Sequence, residues 1–98
     1  MTKQELLQRT KNFALRVVRA VQALPREDVA HTLGRQLLRS GTSVGANYRA
    51  AWSLYWMELL VDSGLMSLRR LLALMREGNE LLAITVSAIK TTRSLRSS

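Results

Sequence analysis

Four of the five aromatic residues in this chain fall within nine positions: Tyr48, Trp52, Tyr55 and Trp56. Read as a helix, spacings of four, three and one put them on one face beside Arg49. Such a face can stack nucleic-acid bases or seat at a membrane interface. It can equally form a helix–helix or subunit contact, where aromatic rings supply much of the buried area. The contact reading is preferred, because the same face continues into Leu59 and Leu60. Arginine is the second resource. Arg35, Arg39 and Arg49 follow one broad side of a second helical stretch, as Arg9, Arg16 and Arg19 do on the first. A solvated charged face is the plain explanation for such stripes. Few acids are interleaved here, so the positive field adds up and sequence-tolerant phosphate binding follows.

Catalytic chemistry finds little to work with. There is no cysteine, which removes disulfides, thiolate metal sites and a thiol nucleophile. The single histidine, His31, stands three residues after Asp28, a surface pairing without a nucleophile or a pocket. The acids Glu27, Asp28, Glu58, Asp62, Glu77 and Glu80 show no metal-loop spacing. Gly41-x-x-x-Gly45 follows a helical stretch and has no Gly-Lys-Ser/Thr ending, so close helix packing explains it better than a phosphate loop. The expectation is a protein that is not an enzyme and needs no metal or cofactor.

The elements that position these residues are helices. The 98 residues allow one small domain, and 47% hydrophobic content suffices for a core. Fifteen Lys+Arg against seven Asp+Glu leave a formal charge of +8, and twelve of the fifteen are arginine. That balance favours polyanionic partners. No window is long and apolar enough to span a bilayer, and the opening residues carry no secretory signal. A cytoplasmic location without membrane insertion is expected.

Thr2 and Glu5 form a capping box for a helix over about 3–24, closed at Leu24-Pro25. A second helix is predicted over 26–62, kinked near 40–45 where Ser40-Gly41-Thr42-Ser43-Val44-Gly45 is poor in helix propensity. Asp62-Ser63-Gly64 reads as its stop, with Gly64 as a left-handed cap residue. A third helix over 66–93 carries Leu65, Leu68, Leu72, Met75, Asn79, Leu82, Val86 and Ile89 in unbroken three–four alternation. Leu71, Leu74, Leu81 and Ala88 broaden that seam. Asn79, its one polar member, is expected to face a partner helix and fix register. Residues 94–98 are expected to fray as a basic tail.

The stretch Leu33-Gly-Arg-Gln-Leu-Leu-Arg-Ser-Gly-Thr-Ser-Val-Gly-Ala-Asn-Tyr-Arg49 resembles the signature of the four-helix-bundle family of ribosomal-RNA intervening-sequence proteins. Glu77-Gly-Asn-Glu-Leu-Leu-Ala-Ile84 and Ile89-Lys-Thr-Thr-Arg93 are similar to that family's last helix. The family includes the accessory proteins of diversity-generating retroelements. Those accessory proteins are basic homopentameric bundles that bind nucleic acid and a reverse transcriptase. The resemblance therefore implies an up-down helical bundle, allows a pentamer, and points to nucleic acid and a reverse transcriptase or another protein as partners. The chain departs from the pattern after Tyr48-Arg49, where a loop and half a helix are missing. With no turn signal between Ala46 and Val61, one continuous helix is expected there. Three helices per chain would then need a second chain to complete the bundle, at least a dimer with Tyr48, Trp52, Tyr55, Trp56 and Asn79 at the interface.

The function expected from the sequence is RNA or DNA binding through Arg9, Arg16, Arg19, Arg35, Arg39 and Arg49, as an accessory factor in a ribonucleoprotein or retroelement-like process. The alternative is a protein–protein assembly module whose charge serves solubility. Peripheral membrane binding through the basic helix and the Trp/Tyr cluster is a third, weaker option.

Overall fold

Thr2 starts the first helix as its signature predicts. The Glu5 N–H donates to Thr2 Oγ1 at 3.1 Å, satisfying one free donor of the opening turn. Helix α1 then runs Lys3–Gln22 and buries Phe13 and Val17. The computed structural model describes residues 1–44 and 49–97, with side chains described up to residue 91. Beyond the turn at Pro25, α2 spans Asp28–Gly41, α3 spans Arg49–Asp62 and α4 spans Leu68–Ser97. The fold is all-α. The four helices form an up-down bundle within one chain, in which each packs on the next and α4 returns to α1.

The single helix expected over 26–62 is instead two helices folded back on each other, so the chain has four helices rather than three. Side-chain hydroxyls explain the break. Ser40 donates to the Leu37 carbonyl at 3.2 Å, Thr42 to the Leu38 carbonyl at 2.6 Å, and Ser43 to the Arg39 carbonyl at 2.8 Å. Three such back-bonds at the end of one helix compete with its continuation. The chain turns through Thr42, Ser43 and Val44. Gly45, Ala46 and Tyr48 lie outside the described residues. From Arg49 to Asp62 the helix is continuous, as expected for that stretch.

This reversal lets the chain cover its own core. Ala50, Ser53, Met57 and Leu60 of α3 are buried, and Ala50, Met57 and Leu60 join a core cluster with Phe13, Val17, Leu37, Leu71, Leu74 and Leu81. The expectation that one chain could not fold back into a bundle is therefore corrected. Two glycines set the helix spacing. A Cβ on Gly41 would lie 2.7 Å from both methyls of Val17, and one on Gly78 would lie 3.2 Å from Leu54. Close packing at Gly41 is thus as the sequence predicts.

The seam of α4 is offset from the expected one. Leu71, Leu74, Gly78 and Leu81 are buried, whereas Leu68 and Leu72 are 48% and 38% exposed. The buried line keeps the three–four alternation but is centred on Gly78, whose missing side chain admits Leu54 and Phe13. Asn79 is exposed beside this line and does not face a partner helix within the chain. Helix α4 also reaches Ser97, past the end expected at 93. Leu and Arg in that tail are good helix formers, and no glycine or proline interrupts it.

Gly64 ends α3 as predicted, at φ 76°. The Leu65 N–H bonds to the Leu60 carbonyl at 3.0 Å and the Gly64 N–H to the Val61 carbonyl at 3.0 Å. These two bonds make a Schellman motif and turn the chain into α4.

Candidate nucleic-acid interface

Folding α3 back along α2 creates a cleft that no single helix would contain. Gln36, Arg39 and Ser40 lie at spacings of three and four on α2; Arg49, Trp52 and Trp56 lie at spacings of three and seven on α3. Together they line an open cleft of about 410 Å³. Its floor is polar and fixed. The Ser53 hydroxyl lies 3.0 Å from Ser40 Oγ and 3.1 Å from the Arg49 carbonyl, donating between the two. Both serines are buried.

The cleft walls differ in chemistry. Arg39 occupies the last turn of α2, where the helix dipole favours a cation. Arg49 opens α3, whose first turn carries no acid, so its charge adds to the positive helix end. The Arg49 guanidinium approaches Ser43 Oγ at 3.4 Å, a long contact that leaves its remaining donors free. Neither arginine has a carboxylate within salt-bridge distance among the described residues. On the same α3 wall as Arg49, Trp52 is 57% exposed. Its ring meets Tyr55 edge-on, with centroids 6.1 Å apart, and Tyr55 meets Trp56 in the same manner at 5.0 Å. Trp56 is half-buried against the core and anchors this ladder.

The other expected cations separate into different environments. Arg9 is engaged by α4. Its Nε donates to Glu77 Oε2 at 3.1 Å, and its Nη2 to Glu77 Oε1 at 2.5 Å and Glu80 Oε2 at 2.6 Å. These charge-assisted bonds tie α1 to α4. They hold the Glu77 carboxyl below its usual range and push the Arg9 guanidinium up. Arg16 adds a weaker attraction on Glu77, and Arg19 is exposed further along α1. Arg35 opens onto a separate cleft of about 400 Å³ at the α1–α2 turn, lined also by Glu27, Asp28 and His31. Asp28 and His31 are both exposed and make no ion pair with each other. Of the six arginines, the fold thus brings only Arg39 and Arg49 together with the tryptophans.

Gln36 and Ser40 are cleft residues that sequence reasoning missed. Their only signal is their spacing around Arg39. Tyr48 lies outside the described residues, Tyr55 is exposed on the outer side of α3, and Asn79 lines a shallow groove with Leu82, Val86 and Lys90. Among the described residues no group of three acids and histidine is placed to hold a metal ion. Among them, too, no helix is long and apolar enough to cross a membrane. Comparison with family models, curated proteins and solved structures gives no match.

Proposed function

We propose that this chain is a non-enzymatic, cytoplasmic helical protein that binds RNA or DNA. The observation that carries the reading is the α2–α3 cleft, which two guanidiniums with no acid partner among the described residues line together with an exposed tryptophan. Phosphate attracts Arg39 and Arg49, and the +8 charge supplies a long-range field for any polyanion. The resemblance of the 33–49 stretch to the intervening-sequence proteins supports the same reading. It adds an accessory role in a ribonucleoprotein or retroelement-like process, with a reverse transcriptase as protein partner.

The test is a titration of labelled mixed-sequence RNA and DNA at several salt concentrations. Affinity should fall steeply with salt. Arg39→Ala with Arg49→Ala should flatten the slope by about 0.7 per lost phosphate contact on single strands. A folded double variant with an unchanged slope would remove this cleft from the interface.

A second reading, assembly with another copy of the chain, rests on exposed apolar residues outside the cleft lining. Tyr55 of α3 and Leu68 and Leu72 of α4 are large, apolar and 38–48% exposed on adjacent helices. Contact between such faces is an ordinary basis for a homo-oligomer, dimer or larger. Light scattering of the protein, and of Leu72→Lys, tests it: a mass that drops to one chain in the variant supports assembly, and a wild-type monomer refutes it.

A further inference from the structure

Resting on the nucleic-acid reading above, we propose that the α2–α3 cleft receives one unpaired base, so that the protein selects single strands over duplex. The base stacks on Trp52 while the flanking phosphates meet Arg39 and Arg49.

Three features carry this. First, the cleft combines two kinds of recognition that only a single strand satisfies together. A duplex offers phosphates to the arginines but keeps its base faces stacked inside, leaving Trp52 without a partner. An unstacked strand offers a flat base face and a phosphate within one nucleotide. Secondly, the ring is held ready. The edge-on contacts with Tyr55, and of Tyr55 with the half-buried Trp56, restrain Trp52 while leaving it 57% exposed. A restrained ring loses less freedom on binding than one on an unpacked chain. Thirdly, the polar lining suits a base edge without specifying one. Gln36 can both donate and accept, and Ser40 Oγ stands at the cleft floor. One such amide discriminates weakly, so preference for unpaired structure exceeds preference for sequence.

The charge pattern agrees. Arg39 and Arg49 come from different helices whose relative position is locked by Ser40 and Ser53. The two cations line one local cleft with the tryptophans, which fits a strand passing over one point better than a duplex lying along a face.

The experiment compares three labelled probes of equal length: an oligouridylate, a mixed-sequence RNA duplex and an abasic ribose-phosphate strand. Each is titrated against wild type, Trp52→Ala, Trp52→Phe and Arg39→Ala/Arg49→Ala. Circular dichroism checks that each variant is folded. The oligouridylate should bind tightest and quench tryptophan fluorescence. Trp52→Ala should weaken it about tenfold while leaving the duplex, the abasic strand and the salt slope unchanged, and Trp52→Phe should recover part of the loss. Equal affinity for oligouridylate and duplex, or an oligouridylate affinity indifferent to Trp52→Ala, would overturn single-strand selection. If the arginine variant still weakens every probe in that case, polyanion binding survives. No binding of any probe would overturn both readings. A Trp52→Ala variant that changes the subunit number of the free protein would assign this ring to self-association instead.

Discussion

Ser53 and Ser40 hold α3 against α2 through one buried hydrogen bond, 3.0 Å between their oxygens. Ser40 spends its own proton on the Leu37 carbonyl, so its oxygen is free to accept. Removing the Ser53 hydroxyl therefore leaves no donor stranded, and Ser53→Ala should cost only about 1 kcal/mol in urea denaturation. Ser53→Leu should cost more, since it drives a larger group into a site with no measurable exposure.

Gly41 offers a sharper test of helix spacing. A methyl there would collide with both methyls of Val17 at 2.7 Å and with their branch point Cβ at 3.0 Å, atoms of a stiff side chain rather than of a flexible end. Gly41→Ala should destabilise by about 1–3 kcal/mol. Combined with Val17→Ala, the two losses should be less than additive, because the second change makes room for the first. Additive losses in thermal unfolding would mean that the helices move apart easily.

The offset seam of α4 separates two leucines that stand two residues apart. Leu74→Ala should cost about 2–5 kcal/mol, the usual range for a buried leucine. Leu72→Ala should cost less than about 1 kcal/mol in the free chain. Asn79→Leu, at an exposed position, should shift stability by no more than about 0.5 kcal/mol. A large gain in stability from Asn79→Leu would place that side chain in a buried interface.

Acid should loosen the contact between α1 and α4. Arg9 holds the folded-state pKa of Glu77 below its ordinary value of 4.5. As pH falls, the unfolded chain takes up this proton first. The stabilisation is complete above about 4.5 and is lost as pH drops through the lower folded value. With the Glu77 side chain 21% exposed, the contribution is about 1 kcal/mol, reduced by salt. Glu77→Gln should flatten the acid limb of a stability–pH curve, and an unaltered limb would show that other carboxylates set it.

Much of the fold is legible in the sequence where the cause is local. The cap at Thr2 and the left-handed Gly64 are read from a few neighbouring residues, and both are found. The turn after Gly41 is half legible: the low propensity is visible, but whether it kinks or reverses the chain depends on α3 finding α2. The α4 seam is ambiguous in principle. Apolar residues come in doublets, Leu71-Leu72, Leu74-Met75 and Leu81-Leu82, so two adjacent lines have equal periodicity. The choice between them is made by Gly78 and the residues that pack on it. The cleft is invisible for a similar reason. On one continuous helix, Arg39 and Arg49 would stand about 15 Å apart along the axis. Arg9 has its acid partners 68 and 71 positions away, beyond any local pattern.

The ring of helix contacts also carries an expectation for the order of events during folding. Three of the four contacts join neighbours in the chain, α1 with α2, α2 with α3 and α3 with α4. Each closes a short loop, so each has a small entropic barrier and forms rapidly. The fourth, α1 with α4, must bring together segments about 70 residues apart, and Arg9 with Glu77 and Glu80 lies on that contact. An early species with α2–α3 formed and α1 still undocked would already hold the Arg39–Trp52 cleft. The cleft would then take shape before the domain is complete, so its lining would be presented by a nascent chain as well as by the finished bundle.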